Sequence, residues 1–411
     1  MPAATVIDTT SFLVIVFTAA LAGTIVVAAA PRIAVPVVVV ELMLGIVIGP
    51  HCADIAQVDK FTDFFGNLGL GMLFFFAGYE IDFERIRGRA LDLAMVGWGM
   101  SLAIAFGLGG LLAAAGVVVS LLYTGAALAT TAIGTLIPIL RDAGELRTRF
   151  GTYLLAAGAV GEFGPVLLIT LVLSTTHPAD EAAILLGFIV LAVITGVFAV
   201  RSVGRGWPLL ERTFESSSQL PVRLTVVLVF AMLTLATHLG LDLLLGGFVA
   251  GLITRQALRD HERALFESKI TAVGYGFLIP FFFITSGMKF DLGSLVESGS
   301  AILKLPLFLA LFLLVRGVPA FVLYRGVFDA RDRAALAFYC ATELPLVVAI
   351  TTVAVETGHM RLTTASALVG AAILSTLLYP LVGLRLRRGR TAEEPGPEAG
   401  ERAPEQAATA V

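Results

Sequence analysis

Apolar runs of 18 or more residues recur along this chain with only short polar connections between them, and each is long enough to cross a bilayer as a helix. The composition agrees. Of 411 residues, 57% are hydrophobic and only 14% charged, with a mean hydropathy of +0.92. A soluble domain is nearer half apolar and a quarter charged, so these charges are too few to coat a water-facing surface. The chain reads as an all-α polytopic membrane protein, which excludes a soluble enzyme, a nucleic-acid binder and a secreted disulfide scaffold. The net charge of −3 carries little information, because partners are set by where the charges lie. Cys52 falls in a short loop and Cys340 inside an apolar run, so no structural disulfide is expected. The five histidines stand singly, without metal-ligand spacing, and neither a metal site nor a cofactor is expected. No positive charge precedes Arg32, so the first run lacks the basic region of a signal peptide and reads as a retained helix.

Cutting at loop signals predicts about thirteen helical segments, roughly 11–30, 34–50, 62–80, 90–115, 118–140, 150–174, 182–200, 221–239, 241–256, 269–288, 302–324, 334–355 and 362–384. The basic residues test this cutting independently. Alternate connections, beginning after the first segment, hold 23 of the 28 Lys and Arg residues, whereas the opposite ones hold Lys60, Lys289, Lys304 and Arg361. A missed or extra segment would scramble that alternation. The positive-inside rule then puts the N-terminus outside and the C-terminus in the cytoplasm. The tail over 389–411 is rich in Pro, Glu, Ala and Gly without apolar periodicity and reads as disordered.

The chain repeats itself. Met72-Leu-Phe-Phe-Phe-Ala-Gly-Tyr-Glu-Ile-Asp82 in the third segment is echoed by Pro280-Phe-Phe-Phe-Ile-Thr-Ser-Gly-Met-Lys-Phe-Asp291 in the tenth. The segment before each copy carries a GxxxG pattern, Gly45 to Gly49 and Gly247 to Gly251, which lets helices approach closely. Seven segments separate the copies, so they run in opposite directions through the membrane. Inverted-topology repeats of this kind mark secondary transporters; the competing reading is chance similarity between Phe/Gly-rich helices. If segments 1–6 repeat as 8–13, the fifth and twelfth are partners, and both carry helix breakers in mid-span. The fifth has Thr130, Thr131, Gly134 and Pro138, and the twelfth has Thr342 and Pro345. Interrupted helices at membrane depth survive where they line a cavity, and their ends can bind ions there. A simple proline kink is the alternative for either helix alone.

Ionisable groups at bilayer depth cost at least about 2.5–3.5 kcal/mol each, so every one calls for a reason. Glu162 lies midway along the sixth segment, Arg316 in the eleventh, Glu343 in the twelfth and Glu41 in the second. Asp82, Glu84, Asp242 and Asp291 sit at segment ends and read as interfacial. Burial favours the neutral form of a carboxylic acid, which lets a proton and a cation compete for one oxygen site near neutral pH. Glu162 with the Thr130 and Thr131 break would supply such a shell of carboxylate, hydroxyl and carbonyl oxygens. The structural alternative is a buried Glu162–Arg316 ion pair. Arg316 stays charged and cannot carry a proton, so its expected role is structural. Glu343 would neutralise Arg316 or the ends of the broken helices, with a part in transport as the alternative, and Glu41 stays open between structure and transport.

These residues resemble the monovalent cation:proton antiporter-2 family, within the wider sodium/proton exchanger superfamily of potassium-efflux-like and NapA-like antiporters. The likeness covers residues 11–385, nearly all of the membrane portion. Its carriers are Pro36-Val-Val-Val-Val-Glu41-Leu-Met-Leu-Gly45-Ile-Val-Ile-Gly49-Pro50, the run ending Ala77-Gly78-Tyr79-Glu80-Ile81-Asp82, Ala129-Thr130-Thr131-Ala132, and Phe281 to Met288. The resemblance implies the sodium/proton antiporter fold with two crossing broken helices. It also implies a homodimer with an ion-carrying core (about 90–174 and 302–384) and a scaffold (about 11–80 and 221–288) that move in an elevator-like way, the whole spanning 1–388. Two departures stand out. Family members typically place Asp at the position of Glu162 behind a polar residue, whereas this chain has Gly161-Glu162. Electroneutral members tend to have Arg where Arg316 stands, which implies one-for-one exchange. No nucleotide-binding regulatory domain follows the last segment, so gating by one in cis is not expected.

The reading is therefore a transporter, not an enzyme: an antiporter in the cytoplasmic membrane whose partners are a monovalent cation (Na⁺ or K⁺), protons, the lipid bilayer and a second copy of the chain. Three alternatives stay open. The same scaffold would move an organic anion or other solute with Arg316 as counter-ion, or serve as a non-transporting sensor. An intramembrane enzyme would need a nucleophile–base or metal constellation at depth, and no His lies in mid-span.

Overall fold

A computed structural model describes residues 8–29, 37–81, 86–172, 178–204, 218–241, 243–258, 260–290 and 299–389, together with 213 and 293. Asp82, Glu84, Asp242 and Asp291, the 390–411 tail and the basic residues Arg32, Arg85, Arg205, Arg212, Arg259, Arg390 and Arg402 lie outside the described residues. Every element among the described residues is helical. Each of the thirteen expected segments coincides with a helix or a succession of helices. Among the described residues, ten helical stretches are long and apolar enough to cross a membrane, and two shorter apolar helices, Val37–Ile48 and Leu243–Ala257, add to them. The chain divides into two compact units, one of Met1–Ile81 with Val166–Leu292 and the other of Asp82–Pro165 with Gly293–Val411.

The first unit contains α1 (Thr9–Ala29), α2 (Val37–Ile48) and α3 (Lys60–Glu80). Asp59 caps α3: its carboxylate accepts from the Thr62 N–H at 2.8 Å, and its own N–H donates back to the Thr62 hydroxyl at 3.0 Å.

The second unit opens with α4 (Arg89–Ala114), α5 (Leu121–Leu128), α6 (Ile133–Asp142) and α7 (Arg149–Val172), and the chain returns to the first unit within α7.

The first unit continues with α8 (Pro178–Gly204), α9 (Leu220–His238), α10 (Leu243–Ala257) and α11 (Asp260–Val273), which runs through a π-helical turn, Gly274–Leu278, into α12 (Ile279–Met288). The lipid is as apolar as Leu, so hydrophobic burial drives little association between these helices, and close van der Waals approach takes its place. Here the repeat has a physical meaning. Each GxxxG pattern packs on the Phe-rich helix of the opposite copy. A Cβ at Gly45 would land on the Ile284 carbonyl and one at Gly49 would sit 2.8 Å from the Met288 Cα, so α2 lies directly against α12. A Cβ at Gly247 or Gly251 would meet the backbone at Gly71 and Phe75, so α10 lies directly against α3. Phe12, Phe65 and Phe281 pack beside the first pair, with ring centroids 5.0–5.3 Å apart.

The second unit ends with α13 (Gly299–Phe312), α14 (Val318–Leu323), α15 (Ala330–Cys340), α16 (Pro345–Glu356) and α17 (Leu362–Arg387); a second π-helical turn, Leu313–Gly317, joins α13 to α14. At the end of α17, Arg387 meets Glu145 through two bonds of 2.9 Å (Nε to Oε1 and Nη2 to Oε2), and its Nη1 lies 3.1 Å from Asp332 Oδ1. All three residues are buried, and the guanidinium also lies over the Phe150 ring at 4.3 Å. Sequence reasoning had counted Arg387 only as a connection charge. Its distance of 242 residues from Glu145 left no local signal for the pairing.

Candidate functional site

Two helices of the second unit stop in mid-course and meet there. The fifth segment breaks between α5 and α6 over residues 129–132, and the twelfth breaks between α15 and α16 over residues 341–344. Local chemistry accounts for both interruptions. The Thr130 hydroxyl donates to the Ala127 carbonyl at 3.0 Å, taking an acceptor that the helix would have used. Pro345 has no N–H and starts α16, and Leu344 before it is in a non-helical conformation (φ −165°, ψ −68°). Pro138 differs from expectation. It lies inside α6, six residues past the break, so Thr130 and Thr131 interrupt the helix and Pro138 does not.

The broken strands of chain satisfy one another across the gap. The Ala132 N–H donates to the Thr342 carbonyl at 2.8 Å, and the Thr131 hydroxyl donates to the Cys340 carbonyl at 2.5 Å. The Thr131 N–H donates to the Gly161 carbonyl of α7 at 3.0 Å. The loosened backbone is thus paired without water, as membrane depth requires. Trp98 of α4 adds a donor, its indole N–H reaching the Ala129 carbonyl at 3.2 Å.

Three charged residues gather at this junction. Glu162 on α7 is fully buried, and its Oε2 accepts from the N–H of Gly134, in the first turn of α6, at 3.3 Å. A helix N-terminus carries partial positive charge, so it favours a carboxylate there. Glu162 Oε1 makes no hydrogen bond among the described residues. Glu343 is equally buried, in the second break, and its Oε2 lies against the Thr130 hydroxyl of the first break, whose single proton goes either to it or to the Ala127 carbonyl. Its backbone is pinned to α17, with its N–H donating to Ser375 at 2.9 Å and its carbonyl accepting from the Thr376 hydroxyl at 2.8 Å. Glu343 Oε1 makes no hydrogen bond among the described residues either.

Arg316 sits in the π-helical turn between α13 and α14, a local widening that proteins use to re-aim a side chain. Its guanidinium donates to three neutral oxygens: Thr131 Oγ1 at 2.8 Å, Ser101 Oγ at 3.2 Å and the Ala157 carbonyl at 3.2 Å. The alternative Glu162–Arg316 ion pair does not form, and Glu343 does not bond Arg316. The threonines, expected from the sequence to share an ion shell with Glu162, instead hold Glu343 and Arg316. The same geometry accounts for the glycine before Glu162. A Cβ at position 161 would lie on the Arg316 guanidinium and 2.9 Å from Thr131 Oγ1. The cation thus fills the space where a polar side chain would stand.

Other predicted residues fall elsewhere. Thr342 contributes its carbonyl to the crossing, and its hydroxyl turns back to Phe338 at 3.2 Å. Glu41 is buried on α2, in the first unit. Sequence reasoning missed Ser101, Ser375 and Thr376, because a lone hydroxyl on an apolar helix usually bonds its own backbone and gives no sign of an exception. Cys52 and Cys340 are free thiols.

The family profile described as "Sodium/hydrogen exchanger, transmembrane" matches residues 6–384. YjbQ of Bacillus subtilis, named for Na(+)/H(+) antiport, is 24% identical over 369 residues, which cover 85% of this chain and 59% of YjbQ. The chain therefore spans less than two thirds of that relative's length. GerN of Bacillus cereus, named a Na(+)/H(+)-K(+) antiporter, is 25% identical over 358 residues, which cover 85% of this chain and 89% of GerN. The solved structure of the sodium proton antiporter MjNhaP1 from Methanocaldococcus jannaschii superposes with a TM-score of 0.65 at 16% identity, covering 92% of this chain and 95% of that one, and so shares its fold. With the profile running through nearly every described helix, this chain belongs to the sodium/hydrogen exchanger family.

Proposed function

We propose that this protein is a secondary active antiporter that exchanges a monovalent cation, Na⁺ or K⁺, for H⁺ across the cytoplasmic membrane, one for one. Glu162 is the shared carrier, holding either the proton or the cation. The observation behind this assignment is its geometry: a fully buried carboxylate with one oxygen anchored by the Gly134 N–H and the other open, beside two interrupted helices. The antiporter names of YjbQ and GerN support the class of cargo. The alternation of basic residues supports an outside N-terminus and a cytoplasmic C-terminus. In this reading the unit containing Glu162 is the ion-carrying core, the other unit is the scaffold of a homodimer, and transport is elevator-like. An anionic cargo at Arg316 is less well supported, because three of its five N–H donors are already committed to Thr131, Ser101 and Ala157.

The test uses purified protein in liposomes with an imposed pH gradient and a trapped pH dye, with NaCl, KCl and LiCl added in turn to wild type and Glu162→Gln. Collapse of the gradient on one cation, lost in a folded mutant, is the expected outcome. No response to any cation from folded wild-type protein would refute the proposal.

A further inference from the structure

We infer that Glu343 is a second cation-binding carboxylate of the transport site, directly touching the monovalent cation together with Glu162. This rests on the antiport reading above and adds a residue whose favoured role from the sequence was to neutralise neighbouring charge.

Two independent observations carry it. The first is satisfaction. A buried polar atom without a partner is costly, and native proteins keep few of them. At this junction two stand together: Glu162 Oε1 and Glu343 Oε1 are each fully buried and unbonded, while the other oxygen of each is held by the first broken helix. One carboxylate is anchored at Gly134 and the other at Thr130, four residues apart across the break. Carboxylate and hydroxyl oxygens of this kind suit a hard cation. The Thr130 hydroxyl already donates to Ala127 or Glu343, and its lone pairs remain for a metal ion.

The second is charge. Arg316 is permanently positive and is bonded only to neutral oxygens, so it does not consume either carboxylate by direct pairing. With Glu162 alone beside it, the site would be neutral when empty and positive when loaded, and a net charge in a low-dielectric interior is strongly disfavoured. With Glu343 included, the empty site carries one net negative charge. A single monovalent cation cancels that charge, and so does a single proton. Glu162 and Arg316 both lie within electrostatic reach of Glu343, which this cancellation requires. The site is thus matched to one cargo charge at a time, and the match depends on Glu343.

The experiment measures exchange kinetics at fixed pH in proteoliposomes, titrating NaCl, KCl and LiCl against wild type, Glu343→Gln, Glu343→Asp and Glu162→Gln. Removing a charged ligand is expected to raise the apparent KM of Glu343→Gln for the transported cation about tenfold or more. Glu343→Asp, which keeps the charge and shortens the arm, recovers part of the affinity and alters the preference among the three ions. A folded Glu343→Gln with wild-type KM, or with a lower kcat at unchanged KM, would overturn the inference while an inactive Glu162→Gln left the antiport reading standing. Wild-type exchange by Glu162→Gln would instead sink that reading. If Glu343→Gln does not fold, Glu343→Asp decides: unchanged KM for all three ions counts against a coordinating role.

Discussion

The buried cluster at the end of α17 invites a quantitative test. Arg387→Met keeps a long apolar stem and deletes the guanidinium. Glu145 then loses both of its 2.9 Å bonds, and Asp332 loses the cation 3.1 Å away, with both acids at most 5% exposed. Removing one partner of a buried ion pair costs about 3–5 kcal/mol, because the other charge stays behind uncompensated. Loss of the cation–π contact with Phe150 adds about 0.5–2 kcal/mol. A destabilisation of about 4 kcal/mol is therefore expected for Arg387→Met. The double substitution Glu145→Met with Arg387→Met removes charge from both sides and should recover at least half of that loss. Reversible unfolding in mixed detergent and SDS micelles, followed by circular dichroism, gives both values. An Arg387→Met protein within about 1 kcal/mol of wild type, or a double mutant no better than the single, would refute this account of the cluster.

Two further outcomes follow from the first unit. Gly251→Val drives a side chain into the Phe75 carbonyl and places its Cβ 2.7 Å from the Tyr79 nitrogen, so α3 and α10 must separate; a loss of about 1–3 kcal/mol is expected in the same unfolding assay. Asp59→Ala removes the cap of α3 and should cost about 0.5–2 kcal/mol. The Asp59 carboxyl is pushed up by burial, but hydrogen bonds from Thr62 and from the backbone of Asp8 and Phe61 outweigh this and hold it below its usual 3.8. A depressed carboxylate stabilises the fold above its unfolded-state pKa and loses that contribution as pH falls through the lower folded-state value. The difference between wild type and Asp59→Ala should therefore be full at neutral pH and shrink only below about pH 4.

Much of the architecture was legible because membrane depth leaves few choices. A backbone without water must be helical, and an apolar run long enough to span is hard to mistake. The alternation of Arg and Lys gave the count an independent check. Thr130, Thr131 and Pro345 marked the interruptions because each disturbs its own backbone locally. Pro138 misled for a related reason: a proline breaks a helix only where neighbours do not re-satisfy the carbonyl it frees. What the sequence did not reveal was the wiring. Thr130 is bonded to Glu343 across 213 residues, and Arg316 to Thr131 across 185. Those pairings depend on which side chains the crossing brings face to face, and a π-helical turn re-aims Arg316 in a way no periodicity anticipates. Even the glycine before Glu162, conspicuous as a departure, made physical sense only once the guanidinium was seen beside it.

The exchange of partners between the two repeats also sets a timetable for assembly. Gly45 meets Ile284, so about 240 residues of chain must be made after α2 before its partner exists, a wait of roughly 10–50 s at common synthesis rates. During that interval Gly45 and Gly49 lack the α12 backbone that packs on them in the folded chain. The N-terminal hairpin is thus an unfinished half that is completed only when the tenth segment enters the bilayer. A truncation anywhere before α12 would strand it, whereas the same pause offers the insertion machinery a defined window in which to hold it.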